Sequence, residues 1–244
     1  MIKTTKFDIP LLCLFILGIF AYPSTSDRAT DASWKRSMVQ HSLDSTTVVY
    51  LITEDGAWMG SGVVINSEGL TLTAAHVVNH TSSSMMQTYK GQSYAVRVLF
   101  IDKYKDLALI QPIASGKLFS FCKIQPSDDV YVGQAVLVVG HPEEQLYTVT
   151  SGIITRLVYY WWIKCNVIET NAGVDHGSSG GPMLNTDGQV IGIISTMKTD
   201  IKGRPLGIGI AVSIDEIHKF ITKYNKLQNK PTQIKRYTIG ELKP

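Results

Sequence analysis

The sequence predicts an all-β fold, a sandwich or barrel, followed by one late helix. Three observations predict it. From Thr46 onward, short runs rich in β-branched residues alternate with turn signals. No helical pattern separates those runs, as a parallel α/β sheet would require. One amphipathic stretch follows the last run.

The runs, in order, are TTVVYLIT (46–53), GSGVVIN (60–66), LTLT (70–73), YAVRVLFI (94–101) and DLALIQ (106–111). After a polar stretch come AVLVVGH (135–141), TVTSGIITR (148–156), CNVIET (165–170), GPMLN (181–185), QVIGIIS (189–195) and GIGIAV (207–212). Ser67-Glu68-Gly69 and Asp187-Gly188 mark turns between apolar runs. The helix is placed over 213–226: Ser213 and Glu216 have capping-box spacing, and Ile214, Ile217, Phe220 and Ile221 give an apolar face.

Ahead of this region, Lys3 and Lys6 precede an apolar run from Ile9 to Tyr22, shorter than the ~18 residues of a comfortable membrane span. Residues 1–26 therefore read as a signal peptide, with an N-terminal membrane anchor as the alternative and possible membrane association as its consequence. Either implies an exported chain, periplasmic or extracellular, or one anchored facing that compartment. Residues 27–45 read as a linker or short helix, 46–226 as the folded domain (halves at about 46–120 and 121–212), and 227–244 as a basic, solvated tail.

Composition narrows the function classes. With 44% hydrophobic and 18% charged residues the chain is neither disordered nor low-complexity. A net charge of +3 is too mild to argue for nucleic acid. Three cysteines cannot build a disulfide scaffold. Cys13 lies in the N-terminal run, and Cys122 and Cys165 leave room for one bridge at most.

Three short motifs carry chemistry. In LTAAHVV (72–78), small residues around His76 let a ring sit in a cleft while its neighbours pack. Asp106 opens an apolar strand, where a part-buried carboxylate needs a donor such as an imidazole N–H. In Gly177-Ser178-Ser179-Gly180-Gly181-Pro182, glycines around a serine let successive N–H groups converge on one small space. Alone, His76 reads as a core histidine and Asp106 as a solvated strand cap. Joined in the order His, Asp, Ser, with His and Asp in the first half of the β region and Ser in the second, they suit a cleft between two barrels.

Residues 46–221, about 70% of the chain, resemble trypsin-like serine proteases and, within them, the HtrA/Deg branch. The matching segments are SGVVINSEGLTLTAAHVV (61–78), DLALIQ (106–111), VGQAVLVVGHP (132–142), TSGIITR (150–156), GSSGGPMLNTDGQVIGI (177–193) and GIGIAVSIDEI (207–217). The resemblance implies a chymotrypsin-like fold of two six-stranded antiparallel β-barrels. It implies Ser179 as nucleophile, His76 as general base and acid, Asp106 as its orienting carboxylate, and the Gly177 and Ser179 N–H groups as oxyanion hole. It further implies substrate binding by Gly173 at the pocket floor and by the backbone of Ile193, Ile194 and Ser195 as an added strand. Peptide or protein substrates, unfolded or damaged proteins among them, a homotrimer, and no cofactor or metal complete the expectation.

The chain departs from the family pattern in several places. No cysteine flanks His76. Ser178 replaces the digestive enzymes' aspartate, and the HtrA branch usually has Asn there, with Pro at the place of His176. Gly173 brings no charge to the pocket floor, so a small or medium apolar side chain is expected at the cleaved position. Only 18 residues follow Lys226, too few for a PDZ domain.

Other readings compete with the protease. G-x-S-x-G also fits an α/β-hydrolase elbow, which would enlist Asp200 or Asp215 and His218. A catalytically silent protease-like binding or scaffold module is the reading from a different class. His76 and His80 have metal-ligand spacing but no third partner. His41, His141 and His176 have no assigned partner. The aromatic run Tyr159-Tyr160-Trp161-Trp162 reads equally as half-buried packing or as a substrate or membrane contact.

Overall fold

The computed structural model describes residues 36–53, 56–78, 83–114, 116–142 and 145–228. The predicted signal segment, most of the basic tail and His80 lie outside them. Residues 36–45, at the end of the linker or short helix, form a helix, α1. Two closed barrels follow.

The first barrel comprises β1 (Thr46–Thr53), β2 (Gly56–Val64), β3 (Thr71–Thr73), β4 (Ser83–Thr88), β5 (Ser93–Asp102) and β6 (Leu107–Pro112), with a short α2 (Ala75–Val78) after β3. Its strands close in the order β1-β2-β3-β6-β5-β4. The second comprises β7 (Ala135–Gly140), β8 (Thr148–Tyr160), β9 (Cys165–Thr170), β10 (Pro182–Leu184), β11 (Val190–Thr199) and β12 (Pro205–Ser213), closing as β10-β11-β12-β9-β8-β7. All ladders within the barrels are antiparallel. Closure satisfies backbone groups that an open sheet would leave at its edges.

Strand β4 is the one that the β-branched pattern did not announce. Its sequence, SSMMQT, has a single β-branched residue, Thr88, and becomes a strand because β1 and β5 pair with it on either side. Met86 is then fully buried. Both turns sit where the dipeptide signals put them, the Gly69 N–H donating to Asn66 O (3.1 Å) and the Gly188 N–H to Asn185 O (3.0 Å).

The core runs from barrel to barrel. Leu72, Leu107 and Leu109 from the first belong to one cluster with Val139, Leu184 and Ile193 from the second. The C-terminal helix α3 (Ile214–Gln228) adds Ile217 and Phe220 to it. Phe220 stacks on Phe100 of β5 at 5.0 Å, so a helix that follows the second barrel is fastened to the first. Burying such a ring is worth about 2–3 kcal/mol. Glu216 does not close a capping box with Ser213. Its buried carboxylate pairs with Lys105, beside the first barrel, and with Lys219 one turn on. A buried carboxylate gains more from an ammonium than from a backbone N–H, which is the physical reason for the change. Cys122 and Cys165 are both buried and free, and burial pushes each thiol up to about 11.

Candidate active site

The first barrel supplies an imidazole and a carboxylate already joined. His76 stands on α2, directly after β3, and Asp106 sits in the turn just before β6, on a strand that pairs with β3. Asp106 has φ 54, a left-handed conformation that aspartate tolerates better than most residues. Its Oδ1 accepts the His76 backbone N–H (2.9 Å), and its Oδ2 lies 2.8 Å from His76 Nδ1. The carboxylate thus fixes both the backbone and the ring of the same residue. The imidazole side chain remains half exposed, at 51%.

The second barrel supplies the hydroxyl, on the loop between β9 and β10. Ser179 Oγ donates to the Ser195 carbonyl at 3.0 Å. The Ser195 hydroxyl in turn donates to Asp106 Oδ2 at 2.5 Å. Through Ser195 the three sequence-predicted residues belong to one connected network. The ladder explains why Ser195 can do this. The register of β11 against β12 shifts between Ile194 and Thr196, leaving Ser195 as the extra residue of a bulge, and bulges re-aim side chains at the rims of barrels.

The glycine loop is pinned at nearly every peptide. The Ser178 N–H donates to Asp175 O (2.9 Å), the Gly180 N–H to Ile194 O (2.7 Å) and the Gly181 N–H to Ser178 O (3.0 Å). Ser61 of β2 takes the other side: its N–H donates to Ser179 O (2.8 Å) and its Oγ–H to Gly177 O (2.7 Å). Gly180, at φ +86, lies so close to the first barrel that a Cβ there would stand 2.1 Å from Ser61 O, so only glycine fits. Among the described residues, the Gly177 and Ser179 N–H groups donate to nothing in the protein. They are the two that the sequence nominated for an oxyanion.

Two nominated residues do not fit their expected part. Ile193 and Ile194 are fully buried. Ile193 is paired on both sides, with Pro182 and with Val212. The Ile194 N–H and C=O are taken by Gly181 O and the Gly180 N–H. No substrate strand can be added there, because the ladder positions are already filled. Beyond Ile194 the strand β11 pairs with β12 alone. Gly173 is exposed, and its carbonyl accepts the Thr150 hydroxyl (2.8 Å).

The remaining candidates lie elsewhere. His218 binds Gln125 O (2.8 Å) from helix α3, and Asp215 pairs with Lys219, so neither forms a hydrolase triad. His41 contacts Phe121 O (3.0 Å). Among the described residues no cluster of His, Cys, Asp and Glu could hold a metal ion. The aromatic run ends β8 and forms the following turn. Trp161 and Trp162 are exposed, with Trp162 stacked on Tyr160 at 4.4 Å. Sequence reasoning missed Ser61 and His141. His141, at the end of β7, is fully buried with Nδ1 2.7 Å from Ser61 Oγ.

Residues 60–193, more than half of the chain, match the trypsin-like peptidase domain. This chain belongs to the trypsin-like peptidase family. Its similar relatives over that domain are HtrA-type proteases. It is 33% identical to "Serine protease HTRA1" of Xenopus tropicalis over 186 residues, covering 73% of this chain and 39% of that protein. It is 34% identical to "Putative serine protease HhoA" of Synechocystis, covering 66% and 41%, and 35% identical to "Probable serine protease do-like" of Buchnera aphidicola, covering 63% and 33%. The chain thus spans about two fifths or less of the length of these relatives. A solved HtrA-type protease with a tripeptide superposes with a TM-score of 0.70 at 23% identity, over 77% of this chain and 62% of that one. That likeness shows the shared two-barrel fold.

Proposed function

We propose that this trypsin-like domain is a serine endopeptidase of the HtrA type, acting on proteins or peptides through an acyl-enzyme on Ser179. The observation that carries it is the connected path Ser179–Ser195–Asp106–His76 beside a loop with two unclaimed N–H groups. Ser179 Oγ turns from the Ser195 carbonyl towards His76 and attacks the scissile carbonyl. His76 takes the proton and returns it to the leaving amine, and water then cleaves the ester with His76 again as base. Asp106 holds the Nδ1–H tautomer and stabilises the imidazolium. The developing oxyanion binds the N–H groups of Gly177 and Ser179.

Substrate backbone pairs with β11 from Ser195 onward rather than at Ile193 and Ile194. With Gly173 uncharged at the pocket floor, a small or medium apolar side chain enters the primary pocket. A peptide-library profile dominated by Lys or Arg would reject that preference. Unfolded proteins as substrates, a trimeric assembly, export directed by residues 1–26 and the division at residues 27–45 and 227–244 belong to the same proposal. Their support is the similarity to HtrA proteases and the N-terminal apolar run. The decisive experiment is labelling with a fluorophosphonate probe. The expected result is one adduct on Ser179, absent in His76→Ala and Ser179→Ala. A folded wild type that neither labels nor cleaves casein would favour the silent scaffold instead.

A further inference from the structure

His141 is a buried histidine that the triad does not use, and its bonding can be counted. Ser61 Oγ lies 2.7 Å from Gly177 O and 2.7 Å from His141 Nδ1. A carbonyl only accepts, and a hydroxyl has one proton, so Ser61 must donate to Gly177 O. The imidazole must then donate its Nδ1–H to Ser61 Oγ. This fixes the neutral Nδ1–H tautomer and leaves Nε2 as a buried acceptor with no partner. The ring is walled by Tyr147, edge-on at 4.6 Å, whose hydroxyl donates to Gln87 O of β4 (3.0 Å). Burial holds the imidazole at about 4, and so neutral at ordinary pH.

The recipient of this relay is the peptide between the two oxyanion donors. Its C=O is held by Ser61 and its N–H, on Ser178, by Asp175 O. Gly177, at φ +91, needs no steric help to adopt its conformation, but it also has no side chain to keep it there. We propose that His141 and Ser61 are positioning residues, a relay that locks the Gly177–Ser178 peptide and so keeps the Gly177 and Ser179 N–H groups directed at one oxyanion. The inference rests on the protease reading for its functional consequence and on geometry alone for the relay itself.

The test uses full-length wild type, Ser61→Ala, His141→Leu and His141→Asn. Asn can present an amide N–H where Nδ1–H stood, so it should rescue; Leu cannot. For a peptide substrate we expect kcat to fall roughly 10-fold to 100-fold in Ser61→Ala and His141→Leu, with KM within about twofold and most of the activity kept in His141→Asn. Affinity for a peptide boronate, which forms an oxyanion mimic on Ser179, should fall in proportion. A second readout is independent of turnover: the 13C carbonyl resonance of Gly177 should move upfield in Ser61→Ala as its hydrogen bond is lost. Folded Ser61→Ala and His141→Leu with wild-type kcat and boronate affinity would overturn the proposal, as would an unmoved Gly177 resonance. So would activity lost equally in His141→Leu and His141→Asn in step with thermal stability. A wild type inert to substrate and boronate, but with a Gly177 resonance that still moves, would remove the protease reading and leave the relay standing.

Discussion

The two barrels are built alike and contribute to the site in opposite ways. The first delivers a nearly finished unit: Asp106 and His76 bond to each other in three places within that barrel, and the second adds only the Ser195 hydroxyl on Asp106 Oδ2. The second delivers Ser179 on a loop that it cannot hold alone, since the carbonyls of Gly177 and Ser179 are both held by Ser61 of the first. A charged pair can be preorganised locally, because a carboxylate with several acceptor sites satisfies a neighbour's backbone and ring together. A glycine bend has only main-chain groups to offer, so its geometry must be imposed from outside.

The contrast can be broken most severely at its self-contained end. In Asp106→Asn an amide replaces the acceptor facing Nδ1, and the imidazole takes the wrong tautomer. We expect kcat to drop by roughly 10⁴-fold with the fold intact, read by peptide hydrolysis alongside circular dichroism. The dependent end should instead fail by structure. Gly180→Ala would drive a Cβ to 2.1 Å from Ser61 O and 2.3 Å from Thr73 Oγ1, at φ +86. Both barrels would have to part, at about 3–5 kcal/mol, visible as a lowered urea midpoint together with lost activity.

A pH measurement sharpens the comparison further. The His141 imidazole is held at about 4 by burial, against an ordinary 6.5. Between these values the unfolded chain takes up a proton that the native one refuses. Its contribution to stability is therefore full above about pH 6.5 and lost progressively down to about pH 4, by about 3 kcal/mol. His141→Asn should flatten that part of the curve relative to wild type, as measured by urea unfolding across the interval. At the small end stands the β8–β9 turn, where Trp161 and Trp162 are exposed. Trp161→Ala should change stability by no more than about 0.5 kcal/mol, while Trp162→Ala, losing its stack on Tyr160, should cost about 1 kcal/mol. Peptide cleavage should stay at the wild-type rate in both.

What could be read from residues alone follows the same division. Eleven runs were legible because Val, Ile and Thr mark pleated, half-buried surface; β4 was not, because SSMMQT owes its conformation to its neighbours. That His76, Asp106 and Ser179 belong together was legible because their motifs are local and their order informative; the hydrogen-bonded path through Ser195 joins them. Ser61 and His141 were not: their bonds link residues 80 and 116 positions apart, and a lone serine or histidine has no spacing that announces such a partner. The misplacement at Ile193 and Ile194 has a similar origin, since a bulge alters no residue type and leaves no mark in the pattern.

That one surplus residue in β11 has an evolutionary corollary. Ser195 serves both halves of the site only because the strand is a residue longer than its partner at that point. Trimming the strand there by one would restore a regular ladder, yet it would remove the residue whose carbonyl meets Ser179 and whose hydroxyl meets Asp106. The site therefore depends on the length of this strand as much as on its letters.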